Sequence, residues 1–261
     1  MIAVSSCTCR LNTCAKPSRD LRSIRRFRDR RLSAQLRKEK DLAIVKRAEN
    51  ASFTTGLDET FASLAKAKTL SYDDVLKTHG ILFGAVYPWA GQDRAQTAPK
   101  LTIKKGPVIF ANAPEIRAAV EFALRKGQDK DYMKAKPGEI MGYLAYGHPF
   151  LDGNGRTIMT VHSVLAQRAG FSIDWSATTK NAYLDALTKE IENPPKGYLD
   201  AYLRPFMRDP IAYEALATAI VQAPGLDGSV QGAALNQVLG NAEEPAVNVQ
   251  YEAMLTKRKS T

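Results

Sequence analysis

His148-Pro149-Phe150-Leu151-Asp152-Gly153-Asn154-Gly155-Arg156-Thr157 is the stretch of this 261-residue chain that packs the most chemistry into the fewest residues. Apolar spacing on either side predicts one helix ending near Gly147 and another starting near Arg156. The loop between them carries two glycines and an asparagine, so it can turn several backbone N–H groups inward. It also feeds a helix N-terminus, where four N–H groups lack intrahelical partners. That combination makes an anion site, and a phosphate suits it. Arg156 adds a planar donor fork for phosphate oxygens. Asp152 adds a hard carboxylate of the kind Mg2+ takes alongside nucleotide phosphates. His148 supplies a side chain whose ordinary pKa lies near neutrality. A base, a metal carboxylate, an amide cradle and an arginine within nine residues describe phosphoryl or nucleotidyl transfer.

Outward from this loop, a period of about 3.6 dominates from residue 34 onward. Leu36, Leu42, Val45 and Ala48 form the face of one expected helix, and 60–68 form a second. Ser71-Tyr72-Asp73-Asp74 is an N-cap signal for a third helix running to Phe83. Tyr87-Pro88-Trp89-Ala90-Gly91-Gln92-Asp93-Arg94 reads as loop, with Tyr87 and Trp89 as packing residues and Arg94 expected to pair with an acid. Thr102-Ile103 and Val108-Ile109-Phe110 flank Lys104-Lys105-Gly106-Pro107, a short hairpin. Further helices are expected at 114–126, 139–146, 157–168 (with Gly170 as its C-cap), 181–192, 197–207 and 212–222. The expected class is all-α with one hairpin.

Composition is that of an ordinary globular chain, with 44% hydrophobic and 25% charged residues. No window approaches the ~18 apolar residues of a membrane helix. No apolar leader follows Met1, so a cytoplasmic protein is expected. The net charge of +10 is concentrated, because residues 16–40 hold eleven Lys or Arg against three acids. The body is therefore near neutral, and the basic arm is either a solvated extension or a contact for an anionic partner such as nucleic acid. Cys7, Cys9 and Cys14 lack the spacing of a zinc site and read as free thiols. Residues 1–45 are expected to be a flexible or helical arm and 46–209 the main domain. Residues 210–261 read as a helix followed by a mobile tail, since Gly225, Gly228, Gly232, Gly240 and Pro245 thin the apolar pattern.

Residues 148–156 resemble the signature of the Fic family, His-Pro-Phe-x-Asp/Glu-Gly-Asn-Gly-Arg, without a break. Residues 87–94 resemble the loop that precedes that family's flap, and 101–110 the flap hairpin; the likeness spans roughly 69–207. It implies a helical bundle with a hairpin flap over the active-site loop. It also implies transfer of AMP from ATP to a Tyr, Thr or Ser hydroxyl of a protein, with release of pyrophosphate. On that pattern His148 is the base and Asp152 holds Mg2+. The amides of Gly153, Asn154 and Gly155 form the anion hole, with the Asn154 side chain on the α-phosphate, and Arg156 binds the outer phosphates. The flap (Ile103, Lys104, Lys105, Gly106) pairs with an extended segment of the target.

Gly155 stands where phosphorylating Doc-type members carry Lys, which favours AMP transfer over phosphotransfer. Met159 stands where many members have a second arginine, so nucleotide affinity or preference is expected to differ. Many members are inhibited by a Ser/Thr-x-x-x-Glu-Gly/Asn helix whose Glu pairs with that second arginine. Val45 to Asn50 lacks the Ser/Thr, Thr188 to Asn193 lies inside a core helix, and both are read as coincidences. Control by a separate antitoxin, or no control, is then expected. A competing reading is a catalytically silent Fic fold that binds partners or nucleic acid through its basic arm. His79 and His162 are read as structural or surface residues, and Phe150 as core.

Overall fold

The computed structural model describes residues 41–226 and 237–259. The basic arm and the three cysteines lie outside the described residues. Asp41 caps the first helix, α1 (Leu42–Lys66), by accepting from the Ala43 N–H at 2.8 Å. The sequence reading split this helix in two, but no proline interrupts it and Gly56 serves packing instead. A Cβ at Gly56 would meet the Ile81 carbonyl oxygen of α2 (Tyr72–Phe83) at 3.0 Å, so the glycine lets the two backbones approach closely. α2 begins with a capping box. The Ser71 side chain accepts from the Asp74 N–H, and the Asp74 carboxylate accepts from the Ser71 N–H at 2.8 Å.

After a short helix α3 (Arg94–Thr97) come β1 (Leu101–Lys105) and β2 (Val108–Ile109), an antiparallel hairpin turning through Gly106 and Pro107. Four helices follow: α4 (Ala113–Gly127), α5 (Lys130–Ala135), α6 (Pro137–Gly147) and α7 (Asn154–Ala169). α5 has no counterpart among the expected helices, because one and a half turns are too few to register a period. β3 (Ser172–Ile173) leads to α8 (Lys180–Glu192), then α9 (Tyr198–Leu203) and β4 (Met207–Arg208), which pairs with β3. The helix expected over 197–207 therefore ends early, at Leu203, and a 3-10 turn over Arg204–Phe206 follows. α10 (Tyr213–Val221) returns to pack on α1. The class is all-α with a small hairpin, as expected.

α6 and α7 run through the core and meet at the loop of interest. α6 is gripped at its start by Asp200, whose Oδ1 accepts from the Gly138 N–H at 2.7 Å and the Glu139 N–H at 3.2 Å. Phe53, Leu82, Phe83, Ile103, Ile116, Ile140, Phe150 and Leu165 are all buried in one cluster. Each such side chain contributes on the order of 1.5–3 kcal/mol by leaving water.

The expected mobile tail needs correction over 237–259. β5 (Gln237–Asn241) adds to the flap with Leu101 opposite Asn241 and Ile103 opposite Val238, making β1 the middle strand of β2-β1-β5. α11 (Pro245–Lys259) then packs on α8. Its Tyr251 is buried, accepts from the Asn112 N–H at 3.1 Å and donates to Glu115 at 3.1 Å. Arg258 lies 3.9 Å from the centre of the Tyr146 ring. Among the described residues no helix is long and apolar enough to cross a membrane.

Candidate active site

α6 ends at His148, whose backbone is left-handed (φ 40, ψ 56); it is the one non-glycine residue with positive φ among those described. That conformation costs about 1–3 kcal/mol and persists only where surroundings enforce it. Arg94 enforces it. Its guanidinium is wholly buried, and Nε donates to the His148 carbonyl at 2.8 Å while Nη2 donates to the Ala111 carbonyl at 2.7 Å. The Arg94 N–H also donates to the Pro149 carbonyl at 2.6 Å. The expected partner of Arg94 was an acid; it is a set of carbonyls instead, which tie the flap and the loop to one point. Burial lowers the Arg94 pKa to about 10, so the group stays charged at neutral pH.

The His148 ring is buried and stacks on Phe110, just past β2, with centroids 3.8 Å apart. Burial is the main reason its pKa lies well below 6.5, and the charges of Arg94 and Lys105 push the same way against Asp152. The imidazole is therefore neutral at physiological pH and able to accept a proton.

Phe150 is fully buried and anchors the loop, stacked on His79 at 3.8 Å. His79 Nδ1 accepts from the Gly91 N–H at 3.0 Å, which fixes Nε2 as the donor to the Asp152 carbonyl at 3.1 Å. Burial lowers its pKa to about 3, so it acts as a neutral strut under the loop. The Asn154 side chain departs from expectation. Its Oδ1 accepts from the Phe150 N–H at 2.8 Å and its Nδ2 donates to the Phe150 carbonyl at 2.7 Å. Both ends of the amide close the loop on itself, so this side chain is engaged by the protein and not aimed at a phosphate.

The nest itself is open. Gly153 caps α7 at φ 76, and a Cβ there would strike the Phe83 ring at 2.6 Å. A Cβ on Gly155 would meet nothing within 4 Å, so this side of the α7 N-terminus is clear for a ligand. The first N–H groups of any α-helix, α7 included, lack intrahelical partners.

α1 supplies what the sequence reading missed. Glu49 is fully buried, and its Oε2 accepts from Arg156 Nη2 at 2.7 Å. Its Oε1 accepts from the Tyr87 hydroxyl. Lys46, one turn earlier, sits 2.6 Å from Glu49 Oε2 and 3.1 Å from Asp152 Oδ2. The Val45 to Asn50 segment, read as a coincidence, is thus at the site. The usual pair with a second arginine is absent, since position 159 is Met; Glu49 pairs with Arg156 instead. Met159 is buried among apolar residues. The other candidate segment does lie elsewhere, with Glu192 3.3 Å from Lys257 of α11.

The flap residues need one correction. Ile103 is fully buried and its strand lies between β2 and β5, so Ile103 and Lys104 are covered on both edges. Lys104 and Lys105 are half-buried, and Gly106 is exposed. β2 and β5 are the edge strands of this sheet among the described residues.

A helical bundle with a strand flap lying on the histidine of a glycine-lined nest is the architecture of Fic domains. Residues 69–166 match the model of the Fic/DOC family. It is 36% identical over 140 residues to the protein adenylyltransferase VbhT of Bartonella schoenbuchensis, covering 52% of this chain and 29% of that one. It is 28% identical over 120 residues to the probable protein adenylyltransferase y4lH of Sinorhizobium fredii, covering 42% and 60%. The chain thus spans less than two thirds of the length of either relative. Among solved structures it resembles the Bartonella tribocorum BepC protein with bound AMPPNP, at TM-score 0.53 and 18% identity over 68% of this chain and 92% of that one. A Bartonella quintana Fic domain with bound ADP gives TM-score 0.53 and 22% identity over 68% and 90%. At these identities the structural likeness is one of fold.

Proposed function

We propose that this protein transfers AMP from ATP to a hydroxyl group of a target protein. The observation that carries the reading is a buried, neutral His148 beside an open α7 N-terminus, with Arg156 one residue beyond Gly155. The anion nest takes the α-phosphate on the Asn154 and Gly155 amides, and Arg156 takes the outer phosphates once Glu49 releases it. His148 accepts the proton of the target hydroxyl as its oxygen bonds to the α-phosphorus. The bond from that phosphorus to the oxygen bridging the β-phosphate breaks, and pyrophosphate leaves with the electron pair. Fixing both reactants over one nest removes much of the entropic barrier.

Asp152 is the residue that would hold Mg2+. Its carboxylate already offers Oδ2 to a cation, the Lys46 ammonium, which fits such a role. Among the described residues no group of three or more His, Cys, Asp or Glu gathers as an all-protein metal site. A divalent ion would then draw its other ligands from phosphates and water, as Mg2+ does with nucleotides. When bound, it would offset the negative charge between the α- and β-phosphates.

An extended target segment would add to β2 (Val108–Ile109), the flap edge left once β5 covers β1. Gly155 favours AMP transfer over phosphotransfer, since a lysine there would fill the space now clear. The contact that closes Arg156 comes from this chain's own α1, so this reading needs no separate inhibitor for that purpose.

The test is incubation with ATP labelled at the α-phosphate, Mg2+ and a cell lysate, for the wild type and for Glu49→Gln. Label on protein that disappears in His148→Ala supports the proposal, with a loss on the order of 10²–10⁴-fold. Label that His148→Ala leaves unchanged, or label found only from the γ-phosphate, overturns it.

A further inference from the structure

Asp152 divides its carboxylate between two tasks. Oδ1 accepts from the Gly153 N–H at 2.8 Å, within its own loop. Oδ2 faces α1 and meets Lys46 Nζ at 3.1 Å, across 106 residues of sequence. The side chains of Lys46 and Asp152 are each 15% exposed, and that of Glu49 is fully buried, so this is a largely desolvated contact. Two carboxylates hold the one ammonium: Glu49 Oε2 at 2.6 Å and Asp152 Oδ2. Arg156 completes an alternating chain, Arg156–Glu49–Lys46–Asp152, of two positive and two negative groups.

We propose that Lys46 is a tethered cation that competes with the divalent metal ion for Asp152, and that it sets the metal concentration the protein needs. The proposal rests on the assignment of Asp152 as the metal carboxylate made above. A divalent ion and an ammonium cannot share Oδ2 at close range, because their repulsion grows steeply in a site with little water. One turn of α1 thereby opposes both halves of a metal–nucleotide complex. Glu49 holds the arginine that phosphates need, and Lys46 holds the carboxylate that the metal needs. The two residues lie three apart on one helix face, so a shift of that face releases both.

The experiment titrates the full chain with Mn2+, reading free metal by its solution paramagnetic resonance signal, with and without a non-hydrolysable ATP analogue. Lys46→Met is expected to bind Mn2+ roughly tenfold more tightly than wild type, the scale of losing one charge-assisted contact. Lys46→Gln carries the same expectation should Lys46→Met fail to fold. Lys46→Arg keeps a cation and is expected to stay within about twofold of wild type. Arg47→Met removes the same charge from the next, exposed position and controls for the general field. Asp152→Asn is expected to lose the tight site.

Equal gains in Lys46→Met and Arg47→Met would reduce the effect to net charge and overturn the proposal. Weaker Mn2+ binding in Lys46→Met overturns it too, marking Lys46 as a phosphate ligand. Unchanged Mn2+ binding in Asp152→Asn overturns it by moving the metal elsewhere. A wild-type protein that binds Mn2+ through Asp152 yet transfers no AMP sinks the proposed reaction and leaves this proposal standing.

Discussion

Replacing Glu49 by Gln removes one charge at the centre of the site and almost nothing else. The amide keeps the shape of the carboxylate, and its oxygen can still accept from the Tyr87 hydroxyl. What it loses is the ionic part of its contacts with Lys46, 2.6 Å away, and with Arg156, 2.7 Å away, where the Glu49 and Arg156 side chains are 0% and 11% exposed. A nucleotide must take the guanidinium from Glu49, so wild-type affinity is reduced by the strength of that contact. A hydrogen bond between charged groups contributes about 1.5–3 kcal/mol net, since each partner has also given up water. Glu49→Gln should therefore tighten binding of a non-hydrolysable ATP analogue by roughly ten- to a hundred-fold, measured by titration calorimetry. The gain should vanish on an Arg156→Met background, which isolates the pair as the cause. Equal or weaker binding by Glu49→Gln in the wild-type background would refute the reasoning.

Four further outcomes are expected. Because burial keeps the His148 pKa well below 6.5, the base is lost only as pH falls through that lower value. An imidazole of ordinary pKa would be about three-quarters protonated at pH 6, so AMP transfer should fall less than twofold between pH 7.5 and 6; a fourfold fall in initial rate would contradict the burial. Gly153→Ala should lower stability by about 1–3 kcal/mol in denaturant melts, from left-handed strain and the Phe83 contact. Gly155→Ala should melt at or above the wild-type midpoint, since nothing opposes its Cβ and alanine favours helix by up to ~1 kcal/mol. Asn154→Ala should destabilise by about 1–3 kcal/mol, because both Phe150 backbone groups lose a buried partner; a shift below ~0.5 kcal/mol would deny its structural role.

What the sequence disclosed follows from the range of the interactions involved. The 148–156 loop is legible because its glycines, base and arginine are neighbours along the chain. Ser71 with Asp74, and Gly106-Pro107 between β-branched runs, are equally local. Glu49 and Lys46 are not legible, since they reach Arg156 and Asp152 across 107 and 106 residues. A rule that asks for Ser or Thr at position 45 misses them, because their placement comes from α1 packing on α2 and α7. Arg94 was expected to pair with an acid, whereas its partners are carbonyls brought in from distant segments. Asn154 shows the opposite failure. Its presence in the signature was legible, whereas its task was misassigned, because an amide that satisfies a loop and one that grips a ligand are written with the same letter.

The stitching of β5 to the flap bears on where this domain can be cut. The stretch that matches the family ends at residue 166, yet the strand flanking β1 comes from 237–241 and the helix carrying Glu49 begins at Leu42. A fragment trimmed to the matched residues would keep the histidine and the nest while discarding both Glu49 and one border of the flap. On the reading proposed above, kinetics measured on such a fragment would be those of a site without the Glu49 contact, and β1 would become an exposed strand edge open to promiscuous pairing.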